Sequence, residues 1–291
     1  MSTLHEISWP HRLELYRWAV QDPETHAVLF RVIYERVRSG RTPAVLREDF
    51  AGTAADSVAW VAIKSGRTAI VIDIDRPTID WARNRASRIL GKRVDAIQFI
   101  EADLFGPSPL EVAKADITVA LNYSIMQLHE RASLLSYLRA ARAGLDAKGV
   151  FICNIFGGID ASRAGTTRHQ IVPAPRLPSE KPIRPFEYEW EIVGVDSQSL
   201  VADCRIHFQL NPISTDDLGH ALKDAFRYHF RLWSAEEIVS ACEEAGFRCA
   251  QVWRHTYDPA KGTHGVFLGP VEPLSLAGLS TWNVYIVAMS D

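Results

Sequence analysis

The 291-residue sequence contains no Cys-x-x-Cys pair and no histidine cluster at metal-ligand spacing. Its four cysteines, Cys153, Cys204, Cys242 and Cys249, are dispersed. That excludes a zinc ribbon and argues against a disulfide framework, so the expectation is free thiols, no metal and a cytoplasmic location. No apolar run reaches the ~20 residues needed to cross a bilayer, and the first residues lack a signal-peptide core, which excludes a membrane partner. Neither sign of charge dominates: 32 Lys and Arg stand against 35 Asp and Glu, a net −3. A nucleic-acid groove would need a basic excess, so nucleic acid is excluded as a partner. The basic stretch RNRASRILGKR (83–93) reads as a solvated helix face. Also missing is the G-x-G-x-x-G turn of a dinucleotide site. The stretch REDFAGTAAD (47–56) stands where such a turn belongs and carries one glycine, Gly52.

What is present alternates. Apolar residues recur at helical spacing over 10–38, broken at Pro23 and ended by Gly40. PAVL, TAIVIDID (68–75), AIQFIEADL, ADITVALNYS and GVFICNIFGG read as strands buried on both faces, separated by helical segments. Pro77 opens one of those helices. This order predicts an α/β fold with a doubly wound, mostly parallel, seven-stranded sheet. After Gly158 the pattern changes. Residues 160–185 read as loop, and 186–232 as antiparallel strands with turns near Asp196-Ser197 and over 212–219. Ser234 with Glu237 is a capping box opening a helix. RCAQVWRHTY and WNVYIVAMS read as the last strands, with a loop between them. The expected organisation is a helical cap (1–40), an α/β core (41–159), an inserted loop and antiparallel β platform (160–232), and the end of the core (233–291).

In open α/β sheets ligands bind beyond the carboxyl ends of the strands. Acids follow three successive strands here: Glu48 and Asp49, then Asp73 and Asp75, then Asp103. Asn122 and Tyr123 follow the fourth. Asp73 trails Gly52 by about 20 residues, the offset of a ribose-binding acid. Carboxylates repel phosphates but accept from ribose hydroxyls and an adenine amine. A ligand with a ribose and a cationic centre but no pyrophosphate fits, and S-adenosylmethionine is such a ligand. On this reading Gly52 serves one close approach of backbone to ligand.

The chain resembles the class I S-adenosylmethionine-dependent methyltransferases, with their Rossmann-like fold. In its motifs it is similar to a bacterial subgroup whose first motif reads L-R-E-D-F-C-G-T-A. LREDFAGTA (46–54) carries the likeness, with LYRWAVQDPE (15–24), VIDIDRPTIDWA (71–82), LNYS (121–124), FRYHFRLW (226–233), AGF (245–247) and HGVF (264–267). The resemblance implies that Glu48, Phe50, Ala51 and Gly52 pass the methionine part of the cofactor, with Arg47 either neutralising its carboxylate or serving structure. It implies that Asp73 holds the ribose, with Ile74 beside it, and that Asp103 and Leu104 hold the adenine. Asn122 and Tyr123 lie by the sulfonium, and Tyr16 and Gln21 close over the cofactor. Ala51 replaces the subgroup's Cys, and His229 stands where an acid is usual.

The implied activity is methyl transfer to N or O of a small molecule, such as a natural-product intermediate or a peptide residue. The platform's aromatics make it the expected acceptor surface, with Tyr188, Trp190, Tyr228, His229 and Arg231 as substrate contacts. His129, His229 and Tyr228 are the candidate catalytic groups; His129 reads equally as an exposed helix-start residue. The platform also offers a surface for a homodimer. Two other functions fit a fold of this kind. A nicotinamide-dependent oxidoreductase would need the missing glycines. A non-catalytic binding module would not need the strand-end acids.

Overall fold

In the computed structural model, residues 10–105, 113–177, 179–211, 219–257 and 266–291 are described. Helices α1 (Arg12–Val20) and α2 (Pro23–Val37) come first, divided at Pro23, whose fixed φ suits the first turn of α2. There follow β1 (Val45–Asp49), α3 (Ala55–Ile63), β2 (Thr68–Asp73), α4 (Arg76–Leu90), β3 (Ile97–Glu101), β4 (Ala115–Ala120), α5 (Arg131–Ala143) and β5 (Leu145–Gly157). β1 to β5 pair in parallel. Their β-branched runs are buried because helices cover both faces, forming two clusters, one on each side of the sheet.

The insertion forms a separate antiparallel sheet in the order β6 (Gly165–Ile171), β7 (Phe186–Val195), β8 (Val201–Leu210), β9 (His220–Arg231). Helix α6 (Ala235–Glu244) opens on the expected capping box: Ser234 Oγ accepts from Glu237 N–H at 3.1 Å, and Glu237 Oε2 accepts from Ser234 N–H at 2.8 Å. β10 (Cys249–Tyr257), β11 (Val266–Val271) and β12 (Trp282–Met289) complete the main sheet. Its order is β11-β10-β12-β5-β4-β1-β2-β3. The chain turns back between β1 and β4, which fixes the switch point, and so the ligand cleft, above those strand ends.

Three expectations are corrected. The main sheet has eight strands, not seven. The extra one, β11, contains Gly269 and Pro270, residues that read as loop; Pro is tolerated because β11 is an edge strand. The stretch 160–185 is not all loop, since it contains β6. GTTRHQI shows no alternation because almost all of it is exposed at the platform's edge. The basic stretch 83–93 is not wholly solvated: Arg85 is buried on Glu180. Within 212–219 all but Gly219 lie outside the described residues, as do His264 and Gly265 of HGVF (264–267). Among the described residues, no helix is long and apolar enough to cross a membrane. No group of three or more His, Cys, Asp or Glu among them is placed to hold a metal.

Candidate active site

Strand alternation sends successive residues of β1 to opposite faces, and this decides the fate of its charges. Arg47 and Asp49 share one face. Both are buried and joined by two hydrogen bonds, Nε to Oδ1 at 2.7 Å and Nη2 to Oδ2 at 3.2 Å. Tyr137 O–H donates to Asp49 Oδ2 at 3.0 Å. A Cβ on Gly144 would lie 2.2 Å from the Arg47 guanidinium, so the glycine after α5 makes room for that side chain. Glu48 points the other way, where Oε2 accepts from Ser57 N–H (2.8 Å) and Ser57 Oγ (2.5 Å) at the start of α3. Arg47 and Glu48 are therefore not in the cleft. These charges anchor the strand to its flanking helices rather than facing a ligand.

Burial, with the neighbouring Asp56 charge, pushes the Glu48 carboxyl up to about 8 from its ordinary 4.5. The folded state thus holds this proton more tightly than the unfolded chain. The contribution is most favourable below about pH 4.5 and declines as pH rises to about 8. Glu48→Gln removes the ionisation and keeps an acceptor for Ser57. Its melting temperature is expected to gain on the wild type progressively across that interval. A gap that stays constant with pH contradicts the assignment.

The cleft lies where expected, above the ends of β1, β2, β3 and β4, and α1 roofs it. It has a volume of about 330 Å³. Tyr16, Gln21, Phe50, Ala51, Gly52, Asp73, Ile74, Asp103, Leu104 and Asn122 line it. Asp73 Oδ2 accepts from Gly52 N–H at 2.7 Å and Oδ1 from Asp75 N–H at 3.0 Å. Each oxygen keeps acceptor capacity. Asp103 Oδ1 accepts from Phe105 N–H at 2.8 Å. Asp75 instead caps α4 through Thr78 N–H at 3.0 Å.

The backbone at this cleft is unusual. Phe50, Ala54, Asn122 and Tyr123 all have φ between 52° and 64°. Non-glycine residues seldom adopt that region, and such conformations cluster at functional sites. Gly52 has φ 51°, and a Cβ there would meet no protein atom within 4 Å. Its requirement within the chain is conformational, and the space beside it belongs to the cleft. Asn154 Oδ1 accepts from Tyr123 N–H at 3.1 Å and so holds the β4 turn. Thr53 Oγ1 donates to Gln21 Oε1 at 2.5 Å, tying the first turn to the α1–α2 junction. The sequence reading missed Asn154 and Thr53.

Tyr16, Asn122 and Tyr228 also line a second, larger space of about 870 Å³. Cleft and chamber thus meet at these three side chains. Tyr123 lies on the chamber side. The register pairs Tyr188 with Phe208, Trp190 with Ile206 and Cys204 with Tyr228, so one face of the platform is apolar and aromatic. Along β9 that face carries Phe226, Tyr228 and Phe230, with the Tyr228 and Phe230 rings stacked at 4.9 Å and 9°. It walls the chamber. Tyr16 and Tyr228 are neighbours where cleft and chamber meet. Burial first, then the Tyr228 neighbour, raises Tyr16; burial raises Tyr228 against the opposing influence of Tyr16. Both phenols stay protonated at neutral pH, which suits them to orient a nucleophile rather than to act as its base.

Three expected contacts are elsewhere. Alternation turns Arg227, His229 and Arg231 to the platform's other face, opposite Tyr228. His229 and Arg231 line a separate depression with His129. His129 Nε2 is 2.7 Å from the His229 carbonyl, and Arg231 Nη1 donates to the His129 carbonyl at 2.6 Å. These groups fasten β9 to the segment before α5. None of the three lines the cleft or the chamber. Conversely, Asn283 was missed: its Nδ2 donates to Tyr123 Oη at 3.0 Å inside the chamber.

No protein-family model and no curated protein sequence matches the chain. Solved structures do resemble it. An S-adenosylmethionine-dependent methyltransferase from Clostridium acetobutylicum ATCC 824 is 14% identical with a TM-score of 0.63, covering 95% of this chain and 96% of its own. The sugar N-methyltransferase KedS8 from Streptoalloteichus sp ATCC 53650 is 16% identical with a TM-score of 0.63, covering 99% and 96%. CalS10 from Micromonospora echinaspora, an amino pentose methyltransferase solved with S-adenosylmethionine bound, is 14% identical with a TM-score of 0.61, covering 99% and 100%. Over nearly its whole length, the chain has the fold of these S-adenosylmethionine-dependent methyltransferases.

Proposed function

We propose that the protein is an S-adenosylmethionine-dependent methyltransferase acting on an amine of a small molecule. One observation carries this reading: an acid-lined cleft at the switch point opens, across Tyr16, Asn122 and Tyr228, into an aromatic chamber. The residues fit the cofactor. Ile74 and Phe105 line the cleft and are 65% and 44% exposed, leaving apolar surface that an adenine would cover. Asp73 and Asp103 supply acceptors for ribose hydroxyls and the adenine amine. When bound, the cofactor supplies a methyl group on a sulfonium, open to direct displacement by a lone pair.

The chain's own work is alignment and exclusion of water. Phe156, Trp190 and Phe230 wall the chamber, while neutral phenols surround its junction with the cleft. An ammonium beside those rings loses hydration, so its pKa falls and the nucleophilic amine is favoured. The amino-sugar neighbours support nitrogen over oxygen as the acceptor atom. Calorimetry with S-adenosylhomocysteine, S-adenosylmethionine and NAD tests the reading. The adenosyl compounds are expected to bind at micromolar Kd or better. Binding of NAD alone overturns it in favour of a nicotinamide enzyme.

A further inference from the structure

The chamber carries charge that methyl transfer itself does not use. Arg254, on β10, is half-buried, and Arg163 follows the short turn Asp160–Ser162; both line the chamber. They come from different elements, the main sheet and the connection into the platform. Neither guanidinium has an ion pair or a side-chain hydrogen bond among the described residues. The contrast lies on the same platform's opposite face. There Arg168, Arg205 and Arg227 are matched by Glu189 (2.5 Å), Asp203 (3.2 Å) and Asp224 (2.5 Å). Asp160 is the chamber's single carboxylate among the described residues, against the two guanidinium groups of Arg254 and Arg163. A protein with net charge −3 has therefore kept a locally positive chamber.

Resting on the methyltransferase reading, the geometry points to an acceptor amine whose body carries an oxyanion, a phosphate or a carboxylate, held by Arg254 and Arg163. A guanidinium presents two parallel N–H donors that match either group. Arg254 is half-buried, which strengthens that attraction relative to an exposed site, whereas Arg163 is exposed and adds its charge from the rim. The same cations disfavour a protonated amine nearby, so they serve both ends of the substrate. Trp190, Tyr188 and Phe230 would cover the apolar body between them.

The test is a calorimetric titration of the S-adenosylhomocysteine-loaded protein with pyrophosphate, inorganic phosphate and acetate. Pyrophosphate or phosphate binding that drops at least ten-fold in Arg254→Ala identifies a phosphate subsite. The same drop seen with acetate alone identifies a carboxylate subsite. Arg227→Ala, on the outer face, should leave binding unchanged. Retained affinity for S-adenosylhomocysteine reports that each variant is folded. Anion binding that is absent, or equal in wild type and Arg254→Ala, overturns the subsite and leaves the methyltransferase reading standing. Failure of the wild type to bind S-adenosylhomocysteine overturns that reading instead.

Discussion

Asp73→Ala is expected to weaken S-adenosylhomocysteine binding by about two orders of magnitude. Hydrogen bonds to a charged group are each worth roughly 1.5–3 kcal/mol, and a tenfold change in Kd is about 1.4 kcal/mol. A ribose offers two hydroxyls to the Asp73 carboxylate. The substitution also frees Gly52 N–H and Asp75 N–H, which that carboxylate accepts at 2.7 and 3.0 Å. The first turn then loses the tie that holds Gly52 at φ 51°. Asp73→Asn keeps the shape and one carbonyl acceptor, so its loss should be nearer tenfold. Calorimetry measures both, and circular dichroism checks folding. Wild-type affinity in the alanine variant would put the ribose elsewhere.

The sequence exposed the sheet and the cleft for physical reasons that also explain what it hid. Continuous runs such as TAIVID mark strands covered on both faces, and the residues just beyond them must surround the switch point. That logic located Asp73, Asp103 and Asn122. It misassigned Glu48 and Asp49, which lie inside β1 rather than beyond it. The i, i+2 spacing of Arg47 and Asp49 already put them on one strand face, where opposite charges pair. Glu48 needed Ser57, on the next helix, to reveal its partner. On β9 the same period-two rule separates Tyr228 from His229 and Arg231, so those three side chains cannot share a site. β6 and β11 escaped notice because edge strands carry little of the apolar pattern by which strands are read. Arg254 and Asn283 reach the chamber from strands distant in sequence, and nothing local marks them.

Glu180→Ala is expected to destabilise the protein by about 3–5 kcal/mol, the usual result of removing one partner from a buried charge cluster. Glu180 Oε1 lies 2.7 Å from both Arg17 Nη2 on α1 and Arg85 Nη2 on α4, and all three side chains are buried. Burial, then the Arg17 charge, lowers the Arg85 pKa. Without the carboxylate, two buried cations would face each other, with only Glu24 Oε1, 3.5 Å from Arg17 Nη2, left to offset them. Glu180 Oε2, Arg17 Nε and Arg85 Nη1 have no partner, so the cluster is incompletely satisfied even when intact. Replacing it whole, as Arg17→Met with Glu180→Leu and Arg85→Met, should therefore restore most of the stability lost by Glu180→Ala. Urea unfolding distinguishes the two. A loss below about 1 kcal/mol in Glu180→Ala would mean that the cluster behaves like an exposed ion pair. The effect reaches the site because α1 carries Leu13 and Tyr16 to the cleft. Detaching α1 from α4 would open that roof, so Glu180→Ala should also speed release of S-adenosylhomocysteine, while the triple apolar variant should release it at close to the wild-type rate.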